Sequence, residues 1–281
     1  MIDIEKQRAK AAAFRGMHAG PRILLLPNVW DVASARIVEE AGFGAIATTS
    51  AGIAFTLGYP DGERISREEM LAAVARIAGA VRVPVTADVE AGYGNRPEDA
   101  ARTARSVIEA GAVGLNLEDG TEDQAHPLVE LPLQLEKIAA VRQAASAAGV
   151  PVVLNARTDV YLLQVGVEKT RYDQALRRLA AFRDAGADCV FAPGVRDAET
   201  IRRLVGDLRC PVNILAGPGS PSIPELEKLG VARVSLGSSP MRAALGLLRR
   251  LAEELKSTGT YRSLEGAPSH ADVNRMLGQS D

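Results

Sequence analysis

Short apolar runs recur along the chain, each followed by a polar step and then by a longer stretch with a helical repeat. The runs are ILLLP (23–27), GAIAT (44–48), VPVTAD (83–88), AVGLNLE (112–118), PVVLNAR (151–157), DCVFAP (188–193), PVNIL (211–215) and ARVSL (232–236). They are nearly continuous in apolar residues, as in strands covered on both faces of a parallel sheet. Helical patterns fall between them, near 31–41, 66–80, 97–110, 132–148, 168–185, 197–207, 222–229 and 240–256, after an opening N-terminal helix. A junction of helix, Ala-Gly and strand repeats as EEAGFGAIA, IEAGAVGLN, ASAAGVPVVL and RDAGADCVF. At each, glycine ends a helix in the left-handed conformation and the chain re-enters the sheet. Ser66 stands three residues before Glu69, a capping box, and Pro97 suits a first helical turn.

Eight strand–helix units in about 240 residues predict an α/β fold, a closed (β/α)₈ TIM barrel. An open doubly wound sheet is the rival, but the turn after the first run reads PNVWD and holds no GxGxxG. The barrel with its N-terminal helix is assigned to residues 1–256. Residues 257–281 are a C-terminal tail, either a short helix or a disordered end.

Charge and composition narrow the function classes. With 33 basic and 35 acidic residues among 281, no net field recruits nucleic acid or a membrane surface. Cys189 and Cys210 flank strand-like runs and read as free thiols, not as a disulfide framework. No secretory h-region or membrane-length apolar stretch is present, so a soluble, cytoplasmic protein is the expectation.

Barrel chemistry sits at the carboxyl ends of strands. Those ends carry Asn28, Trp30 and Asp31; Thr48, Thr49 and Ser50; Asp88 and Glu90; Asn116, Glu118 and Asp119; Asn155, Arg157 and Asp159. The later ends, with Asn213, Gly217 and Ser235, are blander. Asp88 and Glu90 are two apart, so extended backbone points them the same way, and Glu118 ends the next strand. Like charges side by side need a cation or a shared proton. An all-oxygen cluster suits a hard ion such as Mg²⁺, held partly through water. The alternative is that these carboxylates cap helices and pair with Arg157. Zinc is not indicated, because His18, His126 and His270 are far apart and neither cysteine has a partner at ligand spacing. Arg157, in NARTD, fits a clamp for a carboxylate or phosphonate, or a salt bridge to Glu118 or Asp159. Ser50, Ala51 and Gly52 form a turn whose N–H groups could cradle an anion. The stretch AGIAFTLGYPDGERIS reads as a structured loop over the site, with Asp61 reaching a metal through water or anchoring the loop.

The ordered motifs PNVWDVASARIVEEAGFGAIATTSAG, LGYPDGE, TADVEAGYG, GLNLEDG, NARTD, AGADCVFAPG and LGVARVSLG resemble the isocitrate lyase and phosphoenolpyruvate mutase superfamily over residues 5–255. The resemblance implies a (β/α)₈ barrel that binds Mg²⁺, with Mn²⁺ as a substitute, and a small 2-oxo acid or phosphonate. It implies cleavage or formation of a C–C or P–C bond beside a pyruvate unit, through an enolate. By motif, Asp88 matches the principal metal carboxylate, with Glu90, Glu118 and Asp61 around it. Ser50, Ala51 and Gly52 match the turn that holds the pyruvoyl carboxylate, and Arg157 the arginine beside the leaving group. Trp30 and Asn213 are added as substrate-facing strand ends. Members of the superfamily assemble as dimers or tetramers that exchange the last barrel helix, here near 240–256.

Two departures stand out. Glu90 replaces the aspartate of many members, and GTEDQAHPLVELP lacks the Lys-Lys-Cys-Gly-His gate of the lyases. His126, Tyr59 and Tyr93 are left as proton donors. These features favour a Mg²⁺-dependent lyase or decarboxylase on a small 2-oxo or substituted dicarboxylic acid. A carboxyphosphonoenolpyruvate-type phosphonomutase comes second and a non-catalytic 2-oxo-acid-binding barrel third.

Overall fold

The computed structural model describes residues 3–121 and 123–278. Nine parallel strands run in chain order: β1 (Leu24–Leu26), β2 (Asn28–Val29), β3 (Ile46–Thr48), β4 (Val85–Asp88), β5 (Gly114–Glu118), β6 (Val153–Arg157), β7 (Cys189–Phe191), β8 (Val212–Leu215) and β9 (Arg233–Ser235). All eight apolar runs hold strands, and PNVWD, read from the sequence as the turn after the first run, adds the short β2. Proline has no N–H to give a ladder, and Pro27 separates β1, which pairs with β9, from β2, which pairs with β3. The two halves form one stave, so the sheet closes on itself as a barrel. Asn28 fastens the seam. Its Nδ2 donates to the Thr48 carbonyl at 2.8 Å, and its Oδ1 accepts the N–H groups of Leu236 and Gly237 at 2.7 and 2.9 Å.

The helices are α1 (Ile4–Met17), α2 (Val32–Glu40), α3 (Ser50–Thr56), α4 (Arg67–Ala80), α5 (Pro97–Glu109), α6 (Leu131–Ala147), α7 (Glu168–Asp184), α8 (Ala198–Leu208), α9 (Ile223–Lys228), α10 (Ser239–Ser257) and α11 (His270–Gly278). Side-chain caps set several starts: Asp31 with Ser34 closes a capping box on α2, and Ser66 with Glu69 does so on α4. Helix α3 was read from the sequence as a turn; the Thr49 hydroxyl caps it by accepting the Gly52 N–H.

Helix α1 packs under the amino ends of the strands. A Cβ on Gly114 would meet Thr86 Oγ1 at 2.8 Å and Phe14 Cε1 at 2.9 Å, so the close approach of α1 to the sheet requires glycine there. Apolar side chains fill most of the core, but the strands also bury Thr86, Asn116, Asn155, Asn213 and Arg233. Helix α10 packs differently from its neighbours: Met241 is its one buried residue, while Leu245, Leu247, Leu248 and Leu255 face outward, Leu248 being 61% exposed. Beyond it the chain forms a 3₁₀ turn (Arg262–Leu264) and α11. The latter packs against α2, with Met276 buried and Arg275 paired to Glu40 at 3.4 Å. No helix among the described residues is long and apolar enough to cross a membrane.

Candidate active site

Asp88 ends β4 and is 9% exposed. Two neighbours give its carboxylate three hydrogen bonds: Ser50 N–H (3.2 Å) and Oγ (3.0 Å) on Oδ2, and Asn116 Nδ2 (3.3 Å) on Oδ1. Its own N–H donates to Thr48 Oγ1 at 2.9 Å. Parallel pairing across β3, β4 and β5 brings these groups together, since Asp88 registers with Asn116.

The strand does not continue to Glu90, so the expected extended alternation is corrected. Glu90 adopts a left-handed backbone with φ 52°, and Gly92, Tyr93 and Gly94 follow at φ 97°, 60° and 147°. The glycines of EAGYG supply conformations that L residues resist. At Gly94 an added Cβ would also lie 2.5 Å from the Asp99 carboxylate. This turn folds Glu90 into the interior, 4% exposed, where its Oε2 accepts the Glu63 N–H. Burial pushes the Glu90 carboxyl up to about 8, with the charges of Asp61, Asp88 and Glu63 adding to the rise. Glu63 accepts the Tyr93 N–H at 2.7 Å, so the 57–66 loop and the β4 turn are latched reciprocally. Lys137 on α6, 1% exposed, donates to the carbonyls of Ala91 (2.6 Å) and Gly94 (3.1 Å) and holds the same turn from outside. Glu63 and Lys137 were not found in the sequence, where neither stands at a strand end.

At the ends of β5 and β6, Arg157 bridges two carboxylates. Its Nη1 lies 2.6 Å from Glu118 Oε2, while Nε and Nη2 reach Asp159 at 2.6 and 3.0 Å. Burial opposes the guanidinium charge, but Glu118 and Asp159 outweigh it and raise its pKa further. Glu118 is pushed well above the usual carboxylate range by burial despite Arg157. Asp119 is fully buried and structural: it accepts from Thr158 Oγ1 (2.7 Å), the Asp159 N–H (2.9 Å) and Arg178 Nε (2.6 Å).

Asp61 stands at the rim, exposed on its outer side. Desolvation on its inner side and the charge of Asp88 push its carboxyl up. Thus the charges of Asp61, Asp88, Glu90 and Glu118 act on one another. Among the described residues, however, no three acidic, histidine or cysteine side chains form a direct metal-ligand set.

Other expected residues are placed differently. His126 is on the surface, its side chain 77% exposed, with Nδ1 3.0 Å from Asp123 Oδ2. A short turn closed by the Gly120–Leu128 bridge carries it outward, so it does not join the carboxylates. Tyr59 is 45% exposed, whereas the Tyr93 hydroxyl is buried without a hydrogen-bond partner among the described residues. Burial raises the Tyr93 pKa, with Glu90, Glu63, Asp88 and Asp61 adding, which keeps the phenol protonated. Asn213 is fully buried and pairs with Ser235 at 3.2 Å. Trp30 lines an outer cavity of about 430 Å³ with Ile53, Leu57, Ile77 and Leu277. In the 50–52 turn, the Ser50 N–H goes to Asp88 and the Gly52 N–H to Thr49, with Ala51 buried between them. A cavity of about 560 Å³ lies on the outer layer between α5 and α6, away from Asp88 and Glu118.

Residues 14–256 match the family described as phosphoenolpyruvate phosphomutase. The chain belongs to this family. Within it, the chain is 31% identical over 247 residues to oxaloacetate decarboxylase 2 of Pseudomonas fluorescens (strain Pf0-1), covering 84% of this chain and 81% of that one. A crystal structure from Burkholderia cenocepacia J2315, provisionally assigned as a lyase/mutase, superposes with a TM-score of 0.92 at 41% identity. The match covers 99% of this chain and 98% of that one. The 2,3-dimethylmalate lyase structure, from the same superfamily, gives 0.83 at 29% identity over 96% and 95% of the two chains. The family assignment agrees with the barrel.

Proposed function

We propose that the chain is a Mg²⁺-dependent lyase or decarboxylase that breaks a C–C bond in a small 2-oxo or substituted dicarboxylic acid through a pyruvate enolate. The observation that carries this reading is the gathering of Asp88, Glu90 and Glu118 at the β4 and β5 ends with Asp61 from the loop at the rim, Glu118 being paired with Arg157. Charge of that kind calls for a cation, and an all-oxygen set without a close triad fits an ion that keeps much of its water. Asp88 would hold Mg²⁺, or Mn²⁺ in its place, with Asp61, Glu90 and Glu118 acting through water. Bound there, the ion would supply Lewis acidity for the negative charge that develops on the substrate as the bond breaks.

The chain's own residues do the rest. Ser50 and Asn116 fix the Asp88 carboxylate. Arg157 spends three of its five N–H donors on Glu118 and Asp159, leaving two for a departing carboxylate. Tyr93, kept neutral, holds a proton beside the cluster and takes the donor role that the exposed His126 cannot fill. The Tyr59–Ile65 loop, latched by Glu63, excludes water from a carbanion that water would quench.

The names of the relatives, an oxaloacetate decarboxylase and a dimethylmalate lyase, support C–C cleavage. The family's own description favours a second reading, P–C bond chemistry on a phosphonate. The outward leucines of α10 support a homodimer or homotetramer in which that helix packs on a second copy.

Proton exchange at C3 of pyruvate, followed by NMR in D₂O, tests the shared machinery. Exchange with Mg²⁺, lost in EDTA and in Asp88→Ala, is the expected result. Pyruvate release from oxaloacetate and ³¹P NMR of phosphonopyruvate then separate the two bond types. Absence of exchange and of turnover on both substrates would leave a binding barrel.

A further inference from the structure

Arg233 opens β9 and is fully buried inside the barrel. In the sequence it was one letter of the bland run ARVSL, yet a charge in that setting is costly unless something balances it. Among the described residues it forms no ion pair, and its Nε and Nη1 have no hydrogen-bond partner. Its one side-chain hydrogen bond among the described residues is from Nη2 to Asn116 Oδ1, at 3.3 Å.

The same Asn116 oxygen accepts Asn155 Nδ2 at 2.8 Å. A carbonyl oxygen has two lone pairs, and both are now taken. The Asn116 NH₂ is therefore turned the other way, onto Asp88 Oδ1 at 3.3 Å. An amide's two ends differ little in shape, so only its partners decide which end faces the carboxylate. Flipped, the amide would set an oxygen against Asp88. Burial disfavours the guanidinium charge, and Cys189 and then Asp88, the one carboxylate among these influences, oppose that effect.

We propose that Arg233 is a positioning residue for the carboxylate site: a sealed cation that fixes the Asn116 amide toward Asp88 and balances the Asp88 charge from below. As a contribution to catalysis this rests on the reading above, in which Asp88 is the centre of the site. The charge coupling itself does not depend on it.

The first arm of the test is free of metal. Urea unfolding midpoints are measured in EDTA for wild type, Arg233→Met, Asp88→Asn and the double variant. The expected result is that the loss caused by Arg233→Met falls to about half or less in the Asp88→Asn background. Equal losses in both backgrounds overturn the inference. If Arg233→Met does not fold, Arg233→Lys replaces it together with Asn116→Ala. Lysine keeps the charge and lacks the fork, so its effect should vanish once Asn116 is truncated, and an undiminished effect overturns the proposal.

The second arm follows Mn²⁺ binding by EPR. Arg233→Met should weaken it about tenfold or more, as outer-shell changes do, and Asn116→Ala should add little to that loss. Unchanged affinity, or losses that multiply, count against the inference. A wild type that binds no Mn²⁺ would sink the proposed function, while the urea cycle would still decide the role of Arg233.

Discussion

Glu90→Gln offers a test of the site's electrostatics that needs no substrate. The carboxyl titrates near 8 in the folded protein, against an ordinary value of 4.5, because burial and neighbouring carboxylates disfavour its charge. Between those two pH values the folded chain holds a proton that the unfolded chain has lost. Stability therefore falls as pH rises through this window, the reverse of the usual salt-bridged carboxylate. At about 1.4 kcal/mol per pH unit, the span corresponds to on the order of 5 kcal/mol by pH 8.5. That is a large part of an ordinary domain's total of roughly 5–15 kcal/mol. Glutamine has nearly the same shape, still accepts the Glu63 N–H through its amide oxygen, and never ionises. In EDTA, urea unfolding from pH 5 to 9 should show the variant close to wild type at pH 5 and several kcal/mol more stable at pH 8.5. Some slope persists in the variant, because Asp61, Glu63 and Glu118 are raised as well. Saturating Mg²⁺ should recover stability in the wild type at pH 8.5 and do little at pH 5. Parallel pH profiles for the two proteins would refute the reasoning.

Other expectations follow from the same geometry. Lys137→Met removes two charge-assisted hydrogen bonds from a buried ammonium, and a loss of about 3 kcal/mol in denaturant unfolding is expected. Hydrogen exchange of residues 91–95 should speed up with it; an unaltered turn would show that Lys137 only fills space. His126→Ala should leave turnover and its pH profile unchanged, because the ring is solvated and bound to Asp123; a tenfold loss would return it to the site. Leu248→Glu on α10 should reduce the assembly mass in light scattering while the far-UV spectrum is kept; an unchanged mass would separate α10 from any interface.

The barrel was legible because strands buried on both faces leave uninterrupted apolar runs, and eight such runs have few other ways to pack. Helix α3 was hidden: SAGIAFT is short, contains glycine and follows two threonines, so nothing in its period separates it from a turn. Asp88 was found from its place at a strand end. Glu90 was found by an argument whose premise failed, since the left-handed turn, not strand alternation, brings it inward. Arg157 was foreseen both as clamp and as salt bridge, and the structure shows the pairs with Glu118 and Asp159. The residues that went unseen are those whose meaning lies in a distant partner. Glu63 meets Glu90 27 positions on, Lys137 meets Ala91 46 positions back, and Arg233 meets Asn116 117 positions away. Local pattern carries no trace of such pairings, although a lone arginine inside an apolar run is a signal that could have been read.

The seam fastened by Asn28 has a bearing on how the protein is made. Asn28 and Leu236 are 208 residues apart, so the first stave waits for almost the whole chain before its second neighbour exists. At synthesis rates of about 5–20 residues per second, that is roughly ten to forty seconds on the ribosome. Throughout, β1 presents an apolar edge with unused backbone donors and acceptors, a template for pairing with the wrong chain. Nascent chains arrested before β9 therefore carry two raw edges and no closed ring. The hazard for this molecule lies less in the finished barrel than in the interval before its last strand emerges.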